Sequence, residues 1–286
     1  MRPLSFSLSL PRRRRLSLGG GRTRIMGILN RTEDSFYGAS RVHSEEACLA
    51  RAEEMLAQGA DILDIGAEST RPGSEPVPEA LEKERLVPVI REIRRRHPEA
   101  VISVDTTKAA VGEACLEAGA DMLNDISGLG FDSDLAAVAA RWQAPLVLMH
   151  MKGIPRTMQE NPEYPNLMEE LSEYFEERLS LAESKGCPRS QVILDPGLGF
   201  GKKDCHNLRI LREIARFRSF GLPLLMGYSR KSTIGRVLDL PRPEDRLEGT
   251  LALSAWCAAQ GVEILRVHDV RENLRAVRMI QAVMES

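Results

Sequence analysis

The chain has 286 residues, 43% of them apolar, and a formal net charge of −2 at pH 7. That length can bury a large core in one domain. The near-neutral charge excludes general attraction to nucleic acid or to an anionic membrane, so an anionic ligand must be met by a few placed cations. Cys48, Cys115, Cys187, Cys205 and Cys257 are odd in number, widely spaced and form no Cys-x-x-Cys pair. They read as reduced thiols of a cytoplasmic protein, not as a disulfide framework.

Residues 1–15 are rich in Arg and Ser, with a basic block from Arg12 to Arg15 and no acid before Glu33. The composition suits a transit peptide, but Leu4 to Leu10 is too short to span a membrane and no cleavage site follows. The stretch is therefore read as a basic N-terminal extension. Leu16 to Leu18, Gly19 to Gly21 and Thr23 to Ile25 are expected to form a hairpin plugging one end of the fold.

From here a single pattern repeats. The first strand, Ile25 to Leu29, leads through a long connection, Asn30 to His43, to a helix that begins near Ser44 and stops at Gly59. So long a βα connection without apolar periodicity is expected to be a functional lid or a disordered segment. Ile62 to Ile65 is a second buried strand, ending in the polar loop Glu68-Ser69-Thr70-Arg71-Pro72-Gly73. A helix carrying Leu81, Leu86, Val89, Ile90 and Ile93 follows, its Arg94 to Arg96 placed at the negative end of the helix dipole. Further strands run from Val101 into Asp105, from Met122 into Asn124 and Asp125, from Pro145 into His150, from Val192 into Asp195, from Pro223 towards Lys231, and from Ile264 into Arg266 and His268. Helices are expected over Lys108 to Ala118, from an Asn166 cap past Phe175 to Ala182, around Leu208, Leu211 and Ile214, over Glu244 to Gln260, and over Arg271 to Met284.

Every strand but none of the helix-to-strand turns ends in a polar or charged group. This asymmetry predicts a TIM (β/α)8 barrel over residues 16–286 with its site at the C-terminal ends of the strands. The first βα turn lacks the Gly-rich fingerprint of a doubly wound sheet. Asp105, Asn124, Asp195 and Lys231 suit a flat, nitrogen-rich heterocycle: carboxylates accept from amino and ring N–H groups, the amide does both, and the ammonium donates. Arg71, Arg266 and His268, with the hydroxyls of Ser69, Thr70 and Ser232, suit a diphosphate, and Asn30 offers a hard oxygen to a Mg²⁺ bridging phosphate oxygens. A dense His/Cys metal cage is not expected.

The motifs Met26 to Asn30, Asp34 to Phe36, Glu68 to Gly73, Val104 to Thr106, Asn124 to Gly128, Met149 to Met151, Asp195 to Gly201, Ser229 to Ser232 and Arg266 to His268 together resemble the dihydropteroate synthase family, from about Leu16 to the C-terminus. The resemblance implies a homodimeric transferase of folate biosynthesis. Such an enzyme joins 6-hydroxymethyl-7,8-dihydropterin diphosphate to p-aminobenzoate, releasing diphosphate and 7,8-dihydropteroate, with Mg²⁺ as cofactor. It places the pterin against Asp105, Asn124, Asp195 and Lys231, and the diphosphate near Asn30, Thr70, Arg266 and His268. Phe36, Arg71, Pro72, Lys231 and Ser232 would meet p-aminobenzoate. Lys231, Arg266 and His268 are the expected catalytic groups and Asn30 the metal ligand.

The sequence departs from the family at Arg31, Glu33 and Gly38, where valine, proline and aspartate are usual. Sulfonamide-insensitive members can also read Thr-Glu-Asp, as Thr32-Glu33-Asp34 does here, so sulfonamides are expected inhibitors whose action this loop could oppose. The alternatives are a pterin-dependent methyltransferase with a corrinoid partner, for which the diphosphate cluster has no use, and an inactive pterin-binding paralogue.

Overall fold

The computed structural model describes residues 4–30, 45–68 and 76–286. Strands β1 (Ser5–Leu10) and β2 (Arg14–Gly19) form an antiparallel hairpin. The barrel strands are β3 (Arg24–Asn30), β4 (Ile62–Gly66), β5 (Val101–Asp105), β6 (Met122–Asp125), β7 (Leu146–Met149), β8 (Val192–Asp195), β9 (Leu225–Met226) and β10 (Ile264–Val267). They pair in parallel in the order β8-β7-β6-β5-β4-β3-β10-β9, and a bridge between Leu194 and Leu224 joins the two ends. Around them lie α1 (Glu45–Gln58), α2 (Glu79–Arg96), α3 (Ala109–Ala118), α4 (Asp134–Trp142), α5 (Leu167–Ser184), α6 (Asp204–Arg212), α7 (Ser232–Leu238), α8 (Leu247–Ala259) and α9 (Val270–Glu285). The expected (β/α)8 barrel is what forms. Among the described residues no helix is long and apolar enough to cross a membrane.

Strand alternation sorts the core into two parts. Residues such as Ile25, Leu63, Ile65, Ile102, Val104, Leu123, Leu146 and Leu265 face outward and pack with the buried stripes of the helices. Met26, Ile62, Met122, Val147, Ile193, Leu225 and Ile264 face inward at the lower end, where Leu8, Leu10, Leu16 and Leu18 of the hairpin close it. Water is thereby excluded from the floor, and above this layer the inward positions turn polar.

The hairpin differs from the expectation. Its strands are residues 5–10 and 14–19, not Leu16 to Leu18 with Thr23 to Ile25, so a border at residue 15 runs through β2. The turn is made by Arg12 and Arg13 at φ 60° and 59°, in the left-handed region. Arg12 is held there by the carbonyls of Leu116 and Ala120, at 2.7 and 3.1 Å. The basic block is thus a docking device: Arg14 reaches the buried carboxylate of Asp121 at 3.0 Å.

Other differences are local. Helix α4 was not anticipated from the sequence, nor was α7, and the helix expected from Glu244 starts at Leu247 after a 3₁₀ turn. Leu208 is 44% exposed while Ile210 takes the core position, and Ile214 lies in a separate 3₁₀ segment. Asn166 precedes α5 without a side-chain cap; its backbone N–H instead donates to Glu170 at 3.1 Å. Arg94 does act at the end of α2, donating to the carbonyl of Gly119 at 3.0 Å.

Candidate active site

Above the apolar floor, inward positions of adjacent strands carry Asp64, Ser103, Asp105, Asn124, Asp195 and Arg266, all buried except the partly covered Arg266. Register sets their neighbours: Asp64 pairs with Ser103, Gly66 with both Asn30 and Asp105, and Asp105 with Asn124. Arg266 spans the barrel, its Nε donating to Asp64 Oδ2 at 2.6 Å and its Nη2 to Asp105 Oδ2 at 2.7 Å. Asn124 donates to the same Asp64 oxygen at 3.1 Å. Asp64 Oδ1 is buried without a hydrogen bond, so this carboxylate is held by charge more than by a full set of donors.

Asp105 is pushed up to about 7 by burial, against the lowering charge of Arg266, with Asp64 adding to the rise. Burial also raises Asp195, opposed first by the charge of Lys231. Asp195 Oδ1 accepts from Gly197 N–H at 2.8 Å. Lys231 is brought down to about 8 by burial, with Asp195 opposing and Arg266 assisting. Its ammonium donates to the carbonyl of Leu198 and sits 4.6 Å from the ring centre of Phe200. Gly227, the inward position after β9, leaves the wall open between two of these groups. A Cβ there would come within 3.8 Å of Asp195 Oδ2 and 4.0 Å of the Arg266 Cβ.

The structure therefore brings Asp105, Asn124, Asp195, Lys231 and Arg266 to one end of the barrel, with Asn30 at its rim. Asn30 is exposed, and its Oδ1 would lie 3.6 Å from a Cβ on Gly66, beside Asp105. His268 follows β10, its Nδ1 3.0 Å from Ser229 Oγ. Ser232 opens α7, exposed, and its hydroxyl accepts from Arg236 at 3.2 Å. His150, a group expected at the strand-end face, is buried instead beside Lys202. Phe36, Thr70, Arg71 and Pro72, like Arg31 and Glu33, lie outside the described residues. The base of the loop that carries Thr70 is described: Glu68 accepts from Lys108 at 2.6 Å, and Lys108 also bridges to buried Glu82.

Asp64 was missed by sequence reasoning because it lies within an apolar strand, one step below the rim. Its signal is parity, since Ile62, Asp64 and Gly66 share the inward face that Asp105 continues on β5.

With this geometry in hand, similarity to known proteins decides the family. The family described as pterin binding enzyme matches residues 26–268. A dihydropteroate synthase from Synechocystis sp. is 43% identical over 264 residues, covering 92% of this chain and 91% of the relative. One from Escherichia coli (strain K12) is 43% identical over 262 residues, 92% of each chain. The chain belongs to the dihydropteroate synthase family. Its barrel also superposes on solved members. The Yersinia pestis dihydropteroate synthase in complex with a sulfonamide drug gives a TM-score of 0.90 at 39% identity, over 98% of this chain and 99% of the other. The Xanthomonas albilineans dihydropteroate synthase with 4-aminobenzoic acid gives 0.90 at 36% identity, over 99% of both. As a dihydropteroate synthase, the chain is a transferase of folate biosynthesis.

Proposed function

We propose that the barrel mouth binds 6-hydroxymethyl-7,8-dihydropterin diphosphate and p-aminobenzoate and joins them. The observation that carries this reading is the array of Asp105, Asn124 and Asp195 with Lys231 and Arg266 on neighbouring strand ends. Three acceptors and two cations around one open wall match the amino, ring N–H and carbonyl groups of a pterin. Asn30, Thr70, Arg266 and His268 would face the diphosphate, and Phe36, Arg71, Pro72, Lys231 and Ser232 the p-aminobenzoate.

The reaction in this reading begins as the bond between the pterin methylene carbon and the diphosphate oxygen breaks, with the electron pair leaving on the diphosphate. The barrel carboxylates stabilise the methyl cation that remains, while Arg266 and His268 stabilise the departing anion. The aniline nitrogen of p-aminobenzoate then attacks and loses a proton, which needs no strong base because the nitrogen becomes acidic as its bond to carbon forms. Holding both substrates in the barrel mouth supplies orientation and excludes water.

Mg²⁺ fits the residues present as an ion bound chiefly by substrate. Among the described residues no group of three or more His, Cys, Asp or Glu side chains could hold a metal, whereas Asn30 offers one exposed hard oxygen at the rim. When bound, the ion would be held by Asn30 and phosphate oxygens and would neutralise charge on the leaving group. Calorimetry tests the whole arrangement: chelating Mg²⁺ should weaken the diphosphate substrate and spare the bare hydroxymethyl pterin. Equal sensitivity of both ligands would contradict it.

The reading extends to a homodimer through α8 and α9, which leave Trp256, Met279 and Val283 exposed. Sedimentation that finds only monomer at micromolar concentration would remove that assembly. Sulfonamides, as mimics of p-aminobenzoate, are the expected inhibitors. Glu33 stands where the family's proline is usual; the change removes a fixed φ and adds a charge to a loop proposed to close over that subsite. Only the part of a drug that protrudes beyond the substrate can be discriminated against without losing the substrate. Glu33→Pro, alone or with Arg31→Val beside it, is therefore expected to lower the ratio of sulfonamide inhibition constant to p-aminobenzoate KM. A ratio unchanged in both variants, with turnover intact, would show that this loop does not select against the drug.

A further inference from the structure

A lysine is almost never fully buried unless its ammonium is paired. Lys202 is 1% exposed and belongs to none of the groups assigned above. Its Nζ lies 2.8 Å from His150 Nδ1, 2.9 Å from the carbonyl of Gly197, 3.1 Å from that of Phe200 and 3.3 Å from that of His150. Four acceptors thus surround the three N–H groups an ammonium can offer. Burial holds the pKa of this ammonium well below its usual value while the charge of Asp195 opposes the shift. An ammonium can only donate, so at 2.8 Å the Nδ1 of His150 is the acceptor of this contact; burial and Lys202 together lower His150 well below the usual histidine range.

The loop after β8 is wound around this nitrogen. Gly197 and Gly201 adopt φ 65° and 62°, and a Cβ would stand 2.0 Å from the His150 carbonyl oxygen at the first and 2.2 Å from the Lys152 carbonyl oxygen at the second. The same loop makes the site's contacts. Gly197 N–H donates to Asp195, the Leu198 carbonyl accepts from Lys231, and the Phe200 ring lies beside the Lys231 ammonium. One buried cation therefore organises the backbone that orients both an acceptor and a donor of the pocket.

We infer that Lys202 is a positioning residue for the transfer reaction: with His150 and the loop carbonyls as its acceptors, it fixes residues 196–201 and thereby the places of Asp195 and Lys231 against the pterin. The inference rests on the reading of this mouth as the pterin site.

The test is Lys202→Met in the full chain, a side chain of similar length that removes the donor these four acceptors share. The dissociation constant for the pterin diphosphate should rise at least about tenfold, with a fall in kcat, as expected for loss of a buried charged hydrogen-bond donor. The KM for p-aminobenzoate at saturating pterin should rise less than the pterin dissociation constant, because of the two groups the loop holds only Lys231 is also placed against that substrate. A lysine that serves only the fold would lower Tm and leave the folded variant's pterin affinity unchanged. Unchanged pterin affinity, or an equal loss for both substrates, would overturn the inference. If that variant does not fold, His150→Leu decides, since three carbonyls still hold the ammonium. Pterin binding weakened by about threefold in the folded protein supports the role, and unaltered binding overturns it. Failure of the parent chain itself to bind the pterin diphosphate would instead sink the reading of the site, and this inference with it.

Discussion

Asp195→Ala is expected to abolish measurable pterin binding. In the proposed site the carboxylate pairs with the pyrimidine edge of the pterin through charge-assisted hydrogen bonds, worth about 3 kcal/mol or more when buried. That corresponds to an affinity loss of at least about a hundredfold. The structure adds a second effect, because Asp195 Oδ1 also accepts from Gly197 N–H at 2.8 Å, and alanine would leave that donor unpaired. Asp195→Asn separates the two: an amide oxygen can keep the Gly197 contact while the amino group meets pterin donors it cannot accept from. Both variants should lose pterin, measured by calorimetry on protein shown to be folded. Affinity retained in Asp195→Asn would mean that the residue shapes the loop and does not touch the ligand.

The second large effect is expected at Arg266. In the structure this side chain bridges Asp64 and Asp105 at 2.6 and 2.7 Å, so removing it leaves two buried carboxylates without their cation. Arg266→Ala should weaken the bare hydroxymethyl pterin by about tenfold and the diphosphate substrate by a further tenfold or more. The sign of the pH effect follows from the same contacts. Asp105 is already raised to about 7 by burial, and Arg266 is the largest influence holding it down. Without the arginine the carboxyl protonates at higher pH, and a protonated Asp105 no longer accepts a pair of ring donors. Pterin affinity of the variant should therefore fall away with acidification at a higher pH than in the parent. Equal losses for the two ligands would show that Arg266 serves the ring or the fold and not the diphosphate.

Much of this site was legible in the sequence because a barrel strand ends where its apolar run ends. Asp105, Asn124 and Asp195 each follow such a run directly, and all three stand on the inward face. The same rule failed at His150. Val147 and Met149 take the inward positions of β7, and the residue beyond the strand turns down among the loops. Asp64 failed in the opposite way, as a polar inward residue inside a run that reads as apolar. The hairpin lies elsewhere than expected because the turn that Gly19 to Gly21 advertise, closed by the Gly19–Arg22 bridge, follows it, while its own turn is made at Arg12 and Arg13, and Arg12 makes its contacts more than 100 residues away. The bridge from Arg266 to two carboxylates was equally invisible, since spacing tells which strand carries a cation but not which acids its guanidinium reaches.

The most direct test is turnover by the parent chain with 6-hydroxymethyl-7,8-dihydropterin diphosphate, p-aminobenzoate and Mg²⁺, following diphosphate and dihydropteroate together. The proposed chemistry predicts equal amounts of the two products and diphosphate release that depends on p-aminobenzoate. A folded chain that binds the pterin yet releases no diphosphate when p-aminobenzoate is added would contradict it.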